Sequence, residues 1–214
     1  MRLVVIGAGG HASVVIDVAR LSVPDCDIVG LVDDAVAVGE RVSGSSVLGT
    51  IAELARFPHD AVALAVGDNT ARARIFQRLR TAGERFPSLI HPSAAIAPSA
   101  RIGSGTVVLA HAVINAEAVV DENVIVNTAA TIDHHSQIGS HAHISPGVHL
   151  AGRCRVGEGG ALGIGTVVAP AVSIGARTLI GAGSVVLDDL PADVIAYGSP
   201  ARVIRPRRES DTFH

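Results

Sequence analysis

The sequence predicts a small α/β unit followed by a parallel β-helix. Three observations carry this. Strand and helix patterns alternate over residues 1–85. From Ile90 onward an aliphatic residue recurs at every sixth position. Aromatic residues make up only 2% of a 214-residue chain that is 48% apolar. Its core is therefore filled by Val, Ile, Leu and Ala and is expected to be narrow.

The first part reads in order. Arg2 to Ile6 is a short buried strand ended by Gly7, and residues 12–21 carry helical spacing. Asp27 to Val32 is a second strand, closed by Asp33 and Asp34. Residues 35–49 are rich in Gly and Ser and read as loop, and Ile51 to Arg56 as a short helix. Residues 61–66 form a third strand. Residues 69–82 form a helix, with Ile75 and Leu79 four apart and Gly83 as its stop. This β-α-β order predicts a small parallel sheet flanked by helices.

The second part has a period of six. Ile90, Ile96, Ile102, Val108 and so on to Val186 give seventeen consecutive aliphatic matches. Four residues after each, the side chain is mostly small, as at Ala94, Thr106, Ala130, Ser136 and Cys154. Six is three strand periods, so the same face points inward each time. Short strands turned at small corner residues make a hexapeptide-repeat parallel β-helix. With three hexads per coil, seventeen hexads give about six coils, a column roughly 25 to 30 Å tall. The chain is expected to divide into residues 1–85, 86–205 and a polar tail, 206–214.

Composition excludes several classes. The net charge of −3 gives no basic excess for nucleic acid or an anionic membrane. Two cysteines, Cys26 and Cys154, make no disulfide framework. The apolar run after Met1 is too short for a signal peptide, and no long apolar run spans a membrane. The expectation is a cytoplasmic protein.

Ten histidines are present, five of them between residues 134 and 149: His134, His135, His141, His143 and His149. None takes an inward aliphatic position, so all are expected outside the column. Neutral imidazole is the natural proton acceptor near pH 7. At the other end, Gly7 to Ala12 (GAGGHA) lies between a strand and a helix, with Asp33 further on. Formally this is a dinucleotide fingerprint. A full dinucleotide fold needs two β-α-β-α-β halves, and 85 residues supply one. What remains is a glycine turn that brings backbone N–H groups to a phosphate at a helix N-terminus.

Seven segments carry a resemblance that runs from about residue 1 to 205. They are GAGGHA, the Asp33-Asp34 pair, AVGDN (65–69), LIHPSA (89–94), NTAATIDHH (127–135), HISPGVHLAG (143–152) and GSPARVI (198–204). Through them the chain resembles the bacterial sugar acetyltransferases of the sialic acid O-acetyltransferase and nucleotide-sugar N-acetyltransferase type. The resemblance implies a Rossmann-like N-terminal domain and a left-handed column, a handedness the general crossover rule does not give. It implies acetyl transfer from acetyl-CoA to an amine, the 4-amino group of a UDP- or GDP-linked dideoxy sugar, in surface glycan or glycoprotein sugar synthesis.

Residue by residue, the resemblance makes His134 the general base. His135 stands where the family usually has an acidic orienting residue, with Asp133 beside it as a possible substitute. It makes the Gly152 N–H the oxyanion donor, and His143, Ile164 and Ala182 further coenzyme contacts. Gly9, Gly10, His11, Asp33, Asp34, Gly67 and Asp68 match nucleotide-sugar contacts. Arg177, Arg202 and Arg205 are candidates for the coenzyme phosphates. A homotrimer with active sites between columns is implied, and no metal. Two alternatives stay open: an O-acetyltransferase for sialic acid or another sugar hydroxyl, and a nucleotide-binding module without turnover. A zinc carbonic anhydrase on the same fold needs two histidines five apart, and no pair in the cluster has that separation.

Overall fold

The protein is described from a computed structural model that covers residues 1–208 and 210–212. Glu209, Phe213 and His214 of the expected tail lie outside the described residues. The N-terminal part is a five-stranded sheet of β1 (Arg2–Ile6), β2 (Asp27–Val32), β3 (Arg41–Val42), β4 (Ser45–Gly49) and β5 (Ala61–Leu64), in the order β3-β4-β2-β1-β5. Pairing is parallel except between β3 and β4. The sheet is therefore mixed rather than parallel, and the segment expected as loop carries its edge hairpin. Ser43 and Gly44 both take left-handed φ there, the conformation of a tight two-residue hairpin turn.

Helix α1 (Gly10–Ser22) starts two residues before the apolar pattern does, because Gly9 serves as its N-cap and Gly10 is tolerated in the first turn. It buries Ala12, Val15, Ile16 and Ala19 on one face of the sheet. Helix α2 (Asn69–Thr81) buries Phe76 and Leu79 on the other, against Val4, Ile6, Val62 and Leu64. A 3-10 helix (Ile51–Arg56) starts in a capping box of Thr50 and Glu53.

From Leu89 the chain winds into a column of seventeen two-residue strands, six residues apart. Each pairs with the strands eighteen residues before and after, as Val107 with Ile125 and Ile125 with His143. The result is three flat faces. Face one begins at Leu89–Ile90, face two at Ala95–Ile96 and face three at Arg101–Ile102. The closing strands Val194–Gly198 and Ala201–Pro206 extend face one. Inward residues such as Ile114, Val126, Ile132 and Ile144 are fully buried, and the cluster they form is aliphatic. That accounts for the aromatic deficit. Buried corner hydroxyls reach carbonyls of the next coil: Thr106 Oγ1 to Asp121 at 2.8 Å and Ser136 Oγ to Ala151 at 3.1 Å.

Outward positions differ by face. On face one, Leu89, Val107, Ile125 and His143 are buried, because the N-terminal part sits over them, with Leu89, Val107 and Leu109 sharing the α1 core. Face three presents Arg101, Gln137 and Arg155 to solvent. Face two presents Val113, Thr131, His149, Val167 and Val185, an uncovered and largely apolar strip.

Candidate active site

A cavity of about 540 Å³ lies between two N-terminal loops and the corner joining faces one and two. Gly9, Gly10 and His11, between β1 and α1, line it, as do Gly67 and Asp68, between β5 and α2. The corner contributes Asn127, Ser145, Pro146, Gly163, Ile164, Gly181 and Ala182 from successive coils. His143 reaches it from face one, and Thr212 closes part of the wall. Ile164 is 62% exposed, so the corner also opens outward.

The loops are held by their own backbones. Gly7 takes φ +103°, and a side chain there would meet Ala65 O at 3.0 Å. The Asp68 carboxylate accepts from Ala71 N at 2.7 Å as the cap of α2. The first N–H groups of α1 at Gly10 and His11 have no intrahelical partner and suit an anion.

Asp33 and Asp34 act behind the loops and do not line the cavity. Asp33 accepts from Ala8 N at 2.8 Å, Ala35 N at 2.7 Å and Val36 N at 3.0 Å. Burial works against its charge, but the three N–H groups prevail and hold the carboxyl below its usual range. Asp34 accepts from Ile51 N at 2.9 Å. The three candidate arginines are also engaged elsewhere: Arg177 with Asp193, Arg202 with Asp188 and Arg205 with Asp211.

Behind the Gly67 loop lies a buried arginine that sequence reasoning missed. Arg72 is 1% exposed. Its guanidinium donates to Val66 O and Gly67 O at 3.1 Å, Asn69 Oδ1 at 2.9 Å and His141 O at 2.8 Å, and its Nε to Asn123 O at 3.3 Å. Asn69 in turn donates to Gly159 O and Gly160 O at 3.2 Å. The pair ties the Gly67 loop to three coils at the corner between faces three and one. Burial lowers the Arg72 pKa to about 9, with Asp68 opposing. The signal was its place on the buried stripe of α2, four before Phe76 and seven before Leu79.

His143 and His141 lie outside the column as expected, but beneath the N-terminal part rather than in solvent. Burial, then the charges of Arg72 and His11, push His143 down to about 3, while a Gly67 backbone hydrogen bond opposes. Burial and Arg72 push His11 down to about 4. Both stay neutral near pH 7. An unfolded histidine titrates near about 6.5. From there down to the folded values, the unfolded chain binds more protons than the folded one. Stability is thus expected to be flat above pH 6.5 and to fall as pH drops toward 4. A thermal-melt series over that range checks this, and His143→Gln should flatten the slope.

His134, His135 and Gly152 stand on a different edge, the corner between faces two and three. His134 and Gly152 hold equivalent corner positions one coil apart. A Cβ at Gly152 would lie 2.5 Å from His134 Cε1 and Nε2, so only glycine admits this ring. The Gly152 N–H meets no backbone acceptor among the described residues. Asp133 is spent on His134 N at 2.7 Å and Asn115 Nδ2 at 2.8 Å. The imidazole is oriented instead by His135, Nδ1 to Nδ1 at 3.1 Å. Gly152→Ala should lower turnover by at least about tenfold through the displaced ring and leave the thermal midpoint within a few degrees, as parallel kinetics and melting will show. Within one chain, then, the expected base and the cavity flank opposite edges of face two.

The PglD N-terminal domain model matches residues 2–79. The acetyltransferase domain of PglB from Neisseria gonorrhoeae FA1090, solved with acetyl coenzyme A, is 38% identical with a TM-score of 0.88, over 95% of this chain and 98% of that one. PerB from Caulobacter crescentus, solved with CoA and GDP-perosamine, is 38% identical with a TM-score of 0.89, over 95% and 97%. Among curated relatives, the galactoside O-acetyltransferase of Lactococcus lactis is 48% identical over 50 residues, 23% of this chain. That of Escherichia coli is 41% identical over 59 residues, 28% of this chain. The matched stretches span only about a quarter of the curated relatives' own length, 24% and 29%. The column is a left-handed parallel β-helix, with a Rossmann-like unit before it.

Proposed function

Since this chain belongs to the sugar acetyltransferases that join a PglD-type N-terminal domain to a hexapeptide-repeat column, we propose that it transfers acetyl from acetyl-CoA to the amino group of a nucleotide-activated sugar. The supporting observation is the cavity itself. It faces the phosphate-ready N-terminus of α1 on one side and the repeat corner bearing Ile164 and Ala182 on the other. The acceptor in this reading is the 4-amino group of a UDP- or GDP-linked amino-dideoxy sugar.

Residues 1–85 hold the nucleotide, through the Gly9 to His11 and Gly67-Asp68 loops. Residues 86–205 carry the acetyl transfer, and Thr212, in the tail that follows them, lines the cavity wall. Acetyl-CoA lies along the corner by His143, Ile164 and Ala182. His134 Nε2 takes a proton from the sugar amine as its nitrogen attacks the thioester carbonyl. The oxyanion rests on the Gly152 N–H. Collapse breaks the C–S bond, and the proton held by His134 passes to the departing thiolate.

The two halves meet only if a neighbouring copy supplies His134 and Gly152 to the cavity. The apolar strip of face two lies between those edges, which suits a homotrimer. Without a long apolar helix among the described residues, we place the enzyme in the cytoplasm.

The test is thiol release from acetyl-CoA with UDP- and GDP-linked 4-amino sugars, their hydroxyl counterparts and free sialic acid. Turnover on an amino nucleotide sugar is expected. Turnover on hydroxyl acceptors alone would make the protein an O-acetyltransferase. Nucleotide binding without turnover would make it a binding module. Mixing His134→Ala with Ile164→Asp chains should restore part of the activity each lacks, and no recovery would reject the shared site.

A further inference from the structure

The corner between faces three and one carries a second concavity, away from the acetyl-transfer cavity. Two adjoining pockets of about 160 Å³ each share Thr70, Arg74, Arg177 and Arg207. Arg208 and Asp193 complete one of them, and Glu158 lines the other. Four guanidinium groups thus face two carboxylates, and Asp193 is already held in a fork by Arg177, with Nε–Oδ1 at 2.7 Å. Arg207 is fixed in place by donating to Arg177 O at 2.7 Å and Asp211 O at 3.3 Å. Arg74, on the exposed side of α2, has no side-chain partner among the described residues. Four of the seventeen arginines of a chain of net charge −3 thus line one concave place.

We propose that this concavity binds a phosphate-bearing small molecule, with Arg74 and Arg208 closing on its oxygens and the Thr70 hydroxyl beside them. Guanidinium forks match phosphate geometry, and cations gathered in a recess focus the field on a compact anion. The ligand is a free phosphate or pyrophosphate, or a phosphorylated metabolite whose organic part lies along Ala73 and Gln77 in the second pocket. The site is joined along the chain to both walls of the acetyl-transfer cavity. Thr70 follows Asp68 and Asn69 in the first turn of α2. Asp211, held by Arg205 at 2.6 and 2.8 Å, leads directly to Thr212, which lines that cavity. Occupancy here would set the position of that wall.

Calorimetric titration of the full-length protein with inorganic pyrophosphate, then with inorganic phosphate, tests this. It is run at low salt on the free protein and again with acetyl-CoA saturating and no acceptor present. One site per chain is expected, weakened about tenfold or more in Arg74→Gln/Arg208→Gln and weakened by salt. The same variant should keep its basal acetyl transfer and its melting temperature. Tighter binding of pyrophosphate than phosphate would favour a diphosphate-bearing ligand. No binding, binding abolished by acetyl-CoA, or equal binding by the variant would each overturn the proposal, whatever the acetyl-transfer assay shows.

Discussion

Replacing His134 by Ala should lower acetyl transfer by roughly 10²- to 10⁴-fold while the melting temperature stays unchanged, because the ring is only half-buried at a corner. The same site gives His135 a positioning role. For Nε2 of His134 to accept a proton, its Nδ1 must carry one and donate it to Nδ1 of His135, 3.1 Å away. The groups facing the pair are Asp133, held by Asn115 and the His134 backbone, and Gly152 on the coil above. His135→Phe, which cannot accept that hydrogen bond, should therefore lower kcat by about tenfold or more with little change in KM for either substrate. His135→Glu, which can accept it, should recover most of the loss. Equal kcat in all three proteins would show that His135 does not orient the base.

Replacing Arg72 by Met should lower the unfolding free energy by about 3–5 kcal/mol. The guanidinium serves five backbone carbonyls at 3.3 Å or less, in Val66, Gly67, Asn123, His141 and Ala142, and the Asn69 side chain. A thioether satisfies none of them, and they stay buried. Denaturant melts measure the loss. Because Arg72 also ties down the Gly67 loop, the surviving folded enzyme should show a raised KM for the nucleotide sugar with a smaller change in KM for acetyl-CoA. Arg72→Lys, which keeps the charge but reaches fewer acceptors, should fall between. A destabilisation below about 1 kcal/mol would mean that the contacts are replaced by water at little cost.

These two residues mark the limits of legibility. The column was readable because every sixth residue must enter a narrow prism, and only Val, Ile or Leu fills it. His134 and Gly152 were readable through resemblance, and their eighteen-residue separation places them one above the other. Arg72 was legible only as a position on the stripe of Phe76 and Leu79, since an arginine on a helix ordinarily faces water. Its burial follows from α2 docking on the column, and local pattern holds no record of docking. The same docking buried His141 and His143, which pattern alone placed outside. The edge hairpin was hidden by composition: Ser43, Gly44, Ser45 and Ser46 look like loop, and only Val47 is the inward apolar residue that β4 needs. Asp33 and Asp34 matched a ligand motif, yet their carboxylates serve the backbone around it.

The pairing of each strand with the residue eighteen places along has a consequence for how such a protein can change. Asn127, Ser145, Gly163 and Gly181 line one edge, and Asn123, His141, Gly159 and Arg177 another, each set drawn from successive windings. A single inserted residue within a winding would turn every later side chain off its edge. A whole winding added or removed at once would leave each edge aligned and alter only height. Length here is quantised: the column can lengthen or shorten in steps of eighteen residues. A variant carrying one extra winding between Val168 and Ser173, above Gly152 and below the Arg177 turn, should keep its fold and its His134 chemistry. The coenzyme's far end would move one storey further from the thioester, and the arginine recess would come apart, since Arg74 stays with α2 while Arg177 and Arg207 rise.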